Sequence, residues 1–333
     1  MVPDEVLAPP RAAPQFIDLL AETVDPRGEL TAALLKACAS IPPKYFYDRL
    51  GSRLFEAICE LPEYPLTRTE RAIVDAHVHE IAARIGPGSV LIDLGAGNCE
   101  KAERLFGWLA PTQYVAIDIA ADFLRDRLSV LAERNPQHSM LGIAQDFTQA
   151  IELPAEVASG ARAFFYPGSS IGNFAPDAAF AFLQRTREAC GDDGHLLLGV
   201  DLVKDKSLLD LAYDDPLGVT AAFNLNVLRN VNALLVSDFD VTDWRHVGFF
   251  NSECSRIEMH VEARRDVTVR WPAAERAFAA GDRIHTENSY KYTPESLRHM
   301  LKQAGYAWVA MYTDEASSFA VALAGARINA APT

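Results

Sequence analysis

The sequence predicts an α/β fold: a mostly parallel sheet covered by helices on both faces, closed by an antiparallel hairpin and interrupted by an α+β insertion. Three observations lead there. From Ser89 onward, short apolar runs alternate with amphipathic stretches, as in repeated βα units whose strands are buried on both sides. The run that ends at Leu94 breaks into Gly95 and Gly97, as a parallel strand does when it delivers a ligand to a tight turn. After Asp201 the alternation stops and resumes only near Pro294, which marks the insertion.

Taken in order, residues 1–15 carry Pro3, Pro9, Pro10 and Pro14 with few large apolar groups, and a flexible arm is expected there. Leu30, Ala33, Leu34 and Cys38 recur at helical spacing until Pro42 and Pro43 stop the helix. An aromatic run, Lys44-Tyr45-Phe46-Tyr47-Asp48, precedes a helix through Leu54, Phe55 and Ile58. Phe46 and Phe55 read as core; buried tyrosine hydroxyls need partners, and a substrate can be one. Residues 67–85 predict an amphipathic helix, with Val74, Val78, Ile81 and Ile85 on one stripe and Glu70, Arg71 and Glu80 facing solvent. Strands are expected at 89–94, 114–119, 140–144, 162–166 and 195–200, with helices over 101–109, 123–134 and 177–189. Residues 205–285 read as a helix through Leu208, an Asn-rich helix near 223–235, and strands at 256–261 and 267–271. A helix over 294–304 and strands at 307–312 and 319–323 finish the chain, and the six residues 313–318 between those strands suit an antiparallel hairpin.

The chain of 333 residues sets 31 lysines and arginines against 45 aspartates and glutamates, a net charge of −14. Such a surface repels phosphate backbones and anionic lipid. No nucleic-acid or membrane partner is expected, and a small-molecule substrate is. The five cysteines are scattered without a C-x-x-C pair, which points to a reducing cytoplasm. The N-terminus has no signal-peptide pattern, and no apolar run is long enough to cross a bilayer. None of the eight histidines forms an H-x-x-x-H or H-E-x-x-H motif, so no metal is expected.

Gly95 and Gly97 can bring bare backbone close to a cofactor because neither carries a Cβ. Glu100 stands where a dinucleotide fingerprint wants its third glycine, which disfavours NAD. The remaining pattern from Asp93, acidic-x-Gly-x-Gly, resembles the first motif of S-adenosylmethionine-dependent methyltransferases with a Rossmann-like sheet; a plain left-handed turn would account for the same glycines. Asp118 ends the second strand, where a carboxylate can accept from both ribose hydroxyls of an adenosine or simply be a polar strand end. Asp146 and Phe147 follow the third strand and can meet an adenine amino group and cover its ring. The loop 166–174 lets the backbone at Gly168 pass near a ligand. In the same loop Asn173 offers a donor and an acceptor, or caps the next helix. Strand alternation puts Glu287 and Ser289 on one face, which suits an imidazole or another N–H ligand and equally a solvated edge.

Six segments then occur in order: Lys-Tyr-Phe-Tyr-Asp-Arg-Leu-Gly-Ser-Arg-Leu at 44–54, Leu-Pro-Glu-Tyr at 61–64, Thr-Arg-Thr-Glu at 67–70, the loop 166–174, Ile-Glu-Met-His at 257–260, and 284–292. Together they resemble the histidine-specific Nα-methyltransferases of ergothioneine biosynthesis, from about residue 40 onward. The resemblance implies a Rossmann-like class I methyltransferase sheet. It also implies two units: a substrate-binding unit from 16–65 and 205–285, and a methyltransferase unit from 66–204 and 286–333. By the same resemblance Tyr64, Asn173 and Tyr213 would hold the amino and carboxylate groups of the substrate, in a pocket that includes Gly168. Glu287 and Ser289 would grip its imidazole, and Met259 would shape the space around the ring. Tyr47 would lie near the transferring methyl group, and Gly95, Lys101, Asp118, Asp146 and Phe147 would bind S-adenosylmethionine. The implied activity is trimethylation of the L-histidine α-amine to hercynine, by a monomer without metal. The same reaction on another aromatic amino acid such as tryptophan is one alternative; a non-catalytic S-adenosylmethionine-binding protein is another.

Overall fold

The computed structural model describes residues 13–20, 25–272 and 274–327, so most of the expected N-terminal arm lies outside the described residues. The chain opens with strand β1 (Gln15–Asp18) and helices α1 (Pro26–Leu34), α2 (Arg49–Glu60) and α3 (Leu66–Ile85). Then come β2 (Val90–Leu94), two short helices α4 (Glu100–Glu103) and α5 (Phe106–Leu109), β3 (Gln113–Asp118), α6 (Ala121–Arg134) and β4 (Ser139–Ala144). Next are β5 (Arg162–Tyr166), α7 (Pro176–Cys190) and β6 (His195–Asp201). The insertion holds α8 (Lys206–Tyr213), α9 (Val219–Leu235), β7 (Trp244–Asn251), β8 (Arg256–Ala263), β9 (Val267–Trp271), β10 (Ala274–Phe278) and β11 (Arg283–Tyr290). The chain closes with α10 (Pro294–Gln303), β12 (Trp308–Thr313) and β13 (Phe319–Gly325).

Eight strands form one sheet in the order β1-β4-β3-β2-β5-β6-β13-β12. Its first six strands are parallel, and β13 runs antiparallel to both β6 and β12. The five residues of β2 are all buried. They alternate between two cores: Leu91 joins the cluster that contains Ala116 and Phe165, whereas Val90, Ile92 and Leu94 join the one that contains Val115 and Ile117. A strand covered on both faces needs this continuous apolar run. The chain moves one way across the sheet from β2 to β4 and the other way from β5, so the crevice beyond β2 and β5 is the topological switch point where such sheets bind ligands.

The first core does not stop at the sheet. It continues through Leu30, Ile58, Phe223, Trp244 and Ile257, joining α1 and α2 to the insertion. There β11, β8 and β7 form an antiparallel sheet, and β9 pairs with β10. The N-terminal segment adds to this sheet: Ile41 N donates to His285 O at 2.8 Å, and His285 N donates to Ala39 O at 2.9 Å. The asparagines of α9 explain their own abundance. Asn226 donates to Asp48 Oδ1, Asn230 to Tyr45 O and Asn232 to Phe239 O, each at 2.8 Å. They satisfy buried polar groups of the segments wrapped around this helix.

Three local expectations change. Residues 15–18 form the edge strand of the large sheet, paired with β4, whereas the sequence places 15 in the arm and 16–18 in the substrate-binding unit. The expected helix over 101–109 is two short helices, because Cys99 takes φ 65 at the entry and the helical hydrogen bonding breaks at Arg104 and Leu105. Glu70, expected at the surface, is buried at 3 % exposure; its partners are described below.

Candidate active site

The turn after β2 is shaped by conformation before any side chain acts. Gly95 has φ 68 and Gly97 φ 53, a region in which residues with a Cβ are strained. Gly95 N and Ala96 N both donate to Ile117 O, at 2.8 and 3.1 Å, which ties the turn to β3. Asp118 at the end of β3 tightens it further, its Oδ2 accepting from Gly97 N at 2.8 Å and its Oδ1 from Ala120 N at 2.9 Å. Burial pushes the Asp118 carboxyl up, and these backbone donors pull it back. A carboxylate oxygen has a second lone pair, so Asp118 can hold the turn and still accept from a ligand hydroxyl.

This turn borders a cleft of about 890 Å³. Gly95, Gly97, Lys101, Asp118, Asp146 and Phe147 all line it. A Cβ on Gly95 would lie 3.8 Å from Phe147 Cζ, so the ring edge stands within van der Waals reach of the turn at the cleft wall. Lys44, which sequence reasoning did not single out, reaches Asp146 Oδ2 at 3.2 Å and Glu29 Oε2 at 2.9 Å. Burial opposes its charge, but the two carboxylates prevail and hold the ammonium above its usual pKa. The cleft fits an adenosyl ligand: bare backbone at a strand end, a carboxylate at the next strand end, then a carboxylate beside an aromatic ring.

A smaller chamber opens beside the cleft. Tyr47, Tyr64, Gly168, Asn173, Tyr213, Met259, Glu287 and Ser289 line it, with Phe55 and Phe223 among its further walls. Tyr47, Phe55, Tyr64, Gly168, Ser170 and Asn173 line both spaces and form the passage between them. The rings there make a box: Tyr47 meets Phe55 edge-on at 5.8 Å and Phe223 at 6.0 Å, and Tyr64 meets Tyr213 at 5.9 Å. Aromatic faces of this kind attract cations. Burial pushes the hydroxyls of Tyr47 and Tyr64 well above the usual phenol value, so both stay protonated near neutrality.

Local structure explains how each group is held. Arg68 donates to Leu61 O at 2.8 Å and Pro62 O at 3.0 Å, fixing the turn that carries Tyr64. Asn173 sits in a 3₁₀ turn, 170–173, while Ala175 stands at the N-cap of α7 with no side-chain cap bond. The helix-cap reading of Asn173 therefore does not hold. On β11 a bulge between His285 and Glu287 sets Glu287 opposite Met259 and Ser289 opposite Ile257. Glu287 is 7 % and Ser289 2 % exposed, so the solvated-edge reading falls as well. Burial pushes the Glu287 carboxyl up to about 7, against the pull of the Lys291 ammonium.

Glu70 links the two spaces. Its Oε1 accepts from Gly168 N at 2.8 Å and its Oε2 from Lys101 Nζ at 2.7 Å, so one buried carboxylate fastens the chamber loop to the helix after the glycine turn. Gly199 in β6 leaves room for it, since a Cβ there would collide with Glu70 Oε1. Among the described residues no group of three or more His, Cys, Asp or Glu is placed to hold a metal ion.

A parallel sheet with one antiparallel strand next to its edge, a glycine turn at its switch point and a paired cleft and chamber define a class I S-adenosylmethionine-dependent methyltransferase. The chain belongs to the histidine-specific, S-adenosylmethionine-dependent methyltransferase family, whose profile matches residues 27–326. It is 38% identical over 304 residues to the histidine N-alpha-methyltransferase of Mycolicibacterium smegmatis, covering 90% of this chain and 94% of that protein. It is 31% identical over 282 residues to ergothioneine biosynthesis protein 1 of Neurospora crassa, covering 82% of this chain and 32% of that longer protein. It is also 25% identical over 309 residues to the 4-dimethylallyltryptophan N-methyltransferase easF of Claviceps purpurea, covering 85% and 89%.

Proposed function

We propose that the protein transfers three methyl groups in succession from S-adenosylmethionine to the α-amine of L-histidine, giving hercynine on the way to ergothioneine. The observation that carries this reading is the buried pair Glu287 and Ser289 at the wall of a chamber whose mouth is an aromatic box opening on the cofactor cleft. Gly95, Gly97, Lys101, Asp118, Asp146 and Phe147 would hold S-adenosylmethionine, which supplies a methyl group already activated on a sulfonium. The protein's work is then alignment and exclusion of water. In this reading Glu287 and Ser289 take the imidazole, with Met259 packed beside the ring. Tyr64, Asn173 and Tyr213 hold the amino and carboxylate groups, and Tyr47 orients the amine at the passage, with Gly168 shaping the loop.

An α-amine has a pKa of about 8 even at a peptide terminus and is largely protonated near neutrality, so each transfer needs prior loss of a proton. The raised phenols of Tyr47 and Tyr64 accept a hydrogen bond from the amine without keeping its proton, which leaves to solvent through the cleft. As methyl groups accumulate, the box of Tyr47, Phe55 and Phe223 offers its ring faces to the growing cation. The thiols of Cys38, Cys59, Cys99, Cys190 and Cys254 are all free, which suits a cytoplasmic enzyme.

The reading is tested by incubating the purified protein with S-adenosylmethionine and each aromatic amino acid and following products by mass spectrometry. A gain of three methyl groups on histidine is expected. Methylation of tryptophan with none on histidine would transfer the reaction to an indole substrate.

A further inference from the structure

Behind the chamber lies an ammonium that the proposed chemistry does not use. The Lys291 side chain is fully buried, as is that of Asp201, and the two pair at 2.8 Å. Asp201 ends β6 and Lys291 directly follows β11, so the pair fastens the large sheet to the strand that carries Glu287 and Ser289. Lys204 takes the other Asp201 oxygen at 2.5 Å. Burial works against the Lys291 charge, but Asp201 and the Tyr213 hydroxyl more than offset it, and the group remains an ammonium.

An ammonium has three donors and no acceptor. Those of Lys291 meet Ser289 Oγ at 2.9 Å and the Tyr213 hydroxyl at 3.2 Å, while its charge pairs with Asp201 Oδ2 at 2.8 Å. Ser289 and Tyr213 both line the chamber, and their oxygens lie 3.0 Å apart. Each hydroxyl owns one proton. Neither can give it back toward the ammonium, and their mutual hydrogen bond takes one of the two. One proton is left, on a pair of hydroxyls that line the chamber.

We infer that Lys291 is a positioning residue for the amino-acid substrate: by donating to the inner sides of Ser289 and Tyr213, it turns that pair into a single hydrogen-bond donor aimed into the chamber beside the accepting carboxylate of Glu287. The inference rests on the histidine reading above and deepens it. A neutral imidazole carries one N–H and one bare nitrogen, so it answers the acceptor and the donor together. An indole has the N–H alone and a phenyl ring neither, and each leaves a buried polar group unmatched. Lys291 thus acts on specificity without touching the substrate.

The experiment measures L-histidine binding to the complex with S-adenosylhomocysteine by calorimetry, for the wild type, Lys291→Met, Ser289→Ala and the double variant. Lys291→Met is expected to raise the histidine Kd about tenfold, the size of one well-placed hydrogen bond, with S-adenosylhomocysteine affinity kept within about twofold. In the Ser289→Ala background the same change is expected to add less than about twofold, because two residues that act through one hydrogen bond are not additive. Should Lys291→Met fail to fold, Lys291→Gln keeps amide donors at this position, and its smaller loss is expected to vanish in the same background. Additive losses, or parallel loss of cofactor-product binding, would make Lys291 a general structural tie and overturn the inference. Wild-type protein that neither binds nor methylates histidine would overturn the functional reading, and this inference with it.

Discussion

The two halves of the site are built by different means. The cofactor half is assembled from the ends of consecutive strands β2, β3 and β4, and its shape comes from backbone: two glycines at positive φ and backbone N–H hydrogen bonds to Ile117 O and the Asp118 carboxylate. The substrate half draws on α2, α8, α9, β8 and β11, and its shape comes from buried side chains, of which Tyr213, Ser289 and Lys291 are hydrogen-bonded to one another. A backbone-built site is sensitive first to conformation. A side-chain-built site is sensitive to charge and hydrogen-bond polarity. Substitutions on either side should therefore separate cofactor binding from amino-acid binding.

Gly95→Val is expected to have the largest effect. A β-branched residue at φ 68 strains the turn and obstructs its approach to a ligand, and S-adenosylhomocysteine affinity should fall about hundredfold or more by calorimetry, the scale of a misplacement near 1 Å. Near-normal affinity would mean that the turn does not touch the cofactor. Next in size is the cost of ionising Glu287. Its folded-state pKa is raised from 4.5 to about 7, so the folded protein holds this proton more tightly than the unfolded chain does. The resulting destabilisation is absent below about pH 4.5, grows as pH rises, and is complete above about 7, reaching up to about 3 kcal/mol. Glu287→Gln should accordingly be more stable than the wild type to urea at pH 8 and equal to it at pH 4. A constant difference across that range would show that the carboxyl is not the titrating group.

Glu287→Ala addresses binding rather than stability. It should weaken histidine about thirtyfold, within the range for a hydrogen bond to a charged group, and leave S-adenosylhomocysteine within about twofold. Equal loss of both ligands would erase the contrast between the halves. The smallest effect is expected from Lys44→Ala, which removes a partly exposed ammonium between Glu29 and Asp146. Cofactor affinity should drop only about two- to fivefold, as for other partly solvated ion pairs, and the loss should shrink in high salt.

The same contrast explains what could be read before any coordinates. Gly95, Gly97 and Asp118 were legible from the sequence because strand, turn and acidic strand end are local signals with a fixed order. Alternation placed Glu287 and Ser289 on one face, yet it could not say whether that face met solvent or a chamber; only the packing of β11 decides that. Glu70 was misplaced because a helical stripe treats an off-stripe carboxylate as exposed, while its partners lie 31 and 98 residues away in the chain. Lys291 gave no signal for the same reason, with Tyr213 78 residues distant. Four residues, Gln15–Asp18, are too short a pattern to announce an edge strand, and the pairing with β4 creates it.

The bonds between Ala39, Ile41 and His285 also bear on how the protein comes into being. They join early and late parts of the chain, so the amino-acid chamber cannot close before β11 has been made. The chamber beside Tyr47 and Tyr64 stays open on the side of Glu287 and Ser289 until β11 (Arg283–Tyr290) has been made. Contacts of such high sequence separation slow folding and leave apolar surface open to association. For this enzyme, producing the substrate chamber intact is a question of timing as much as of sequence.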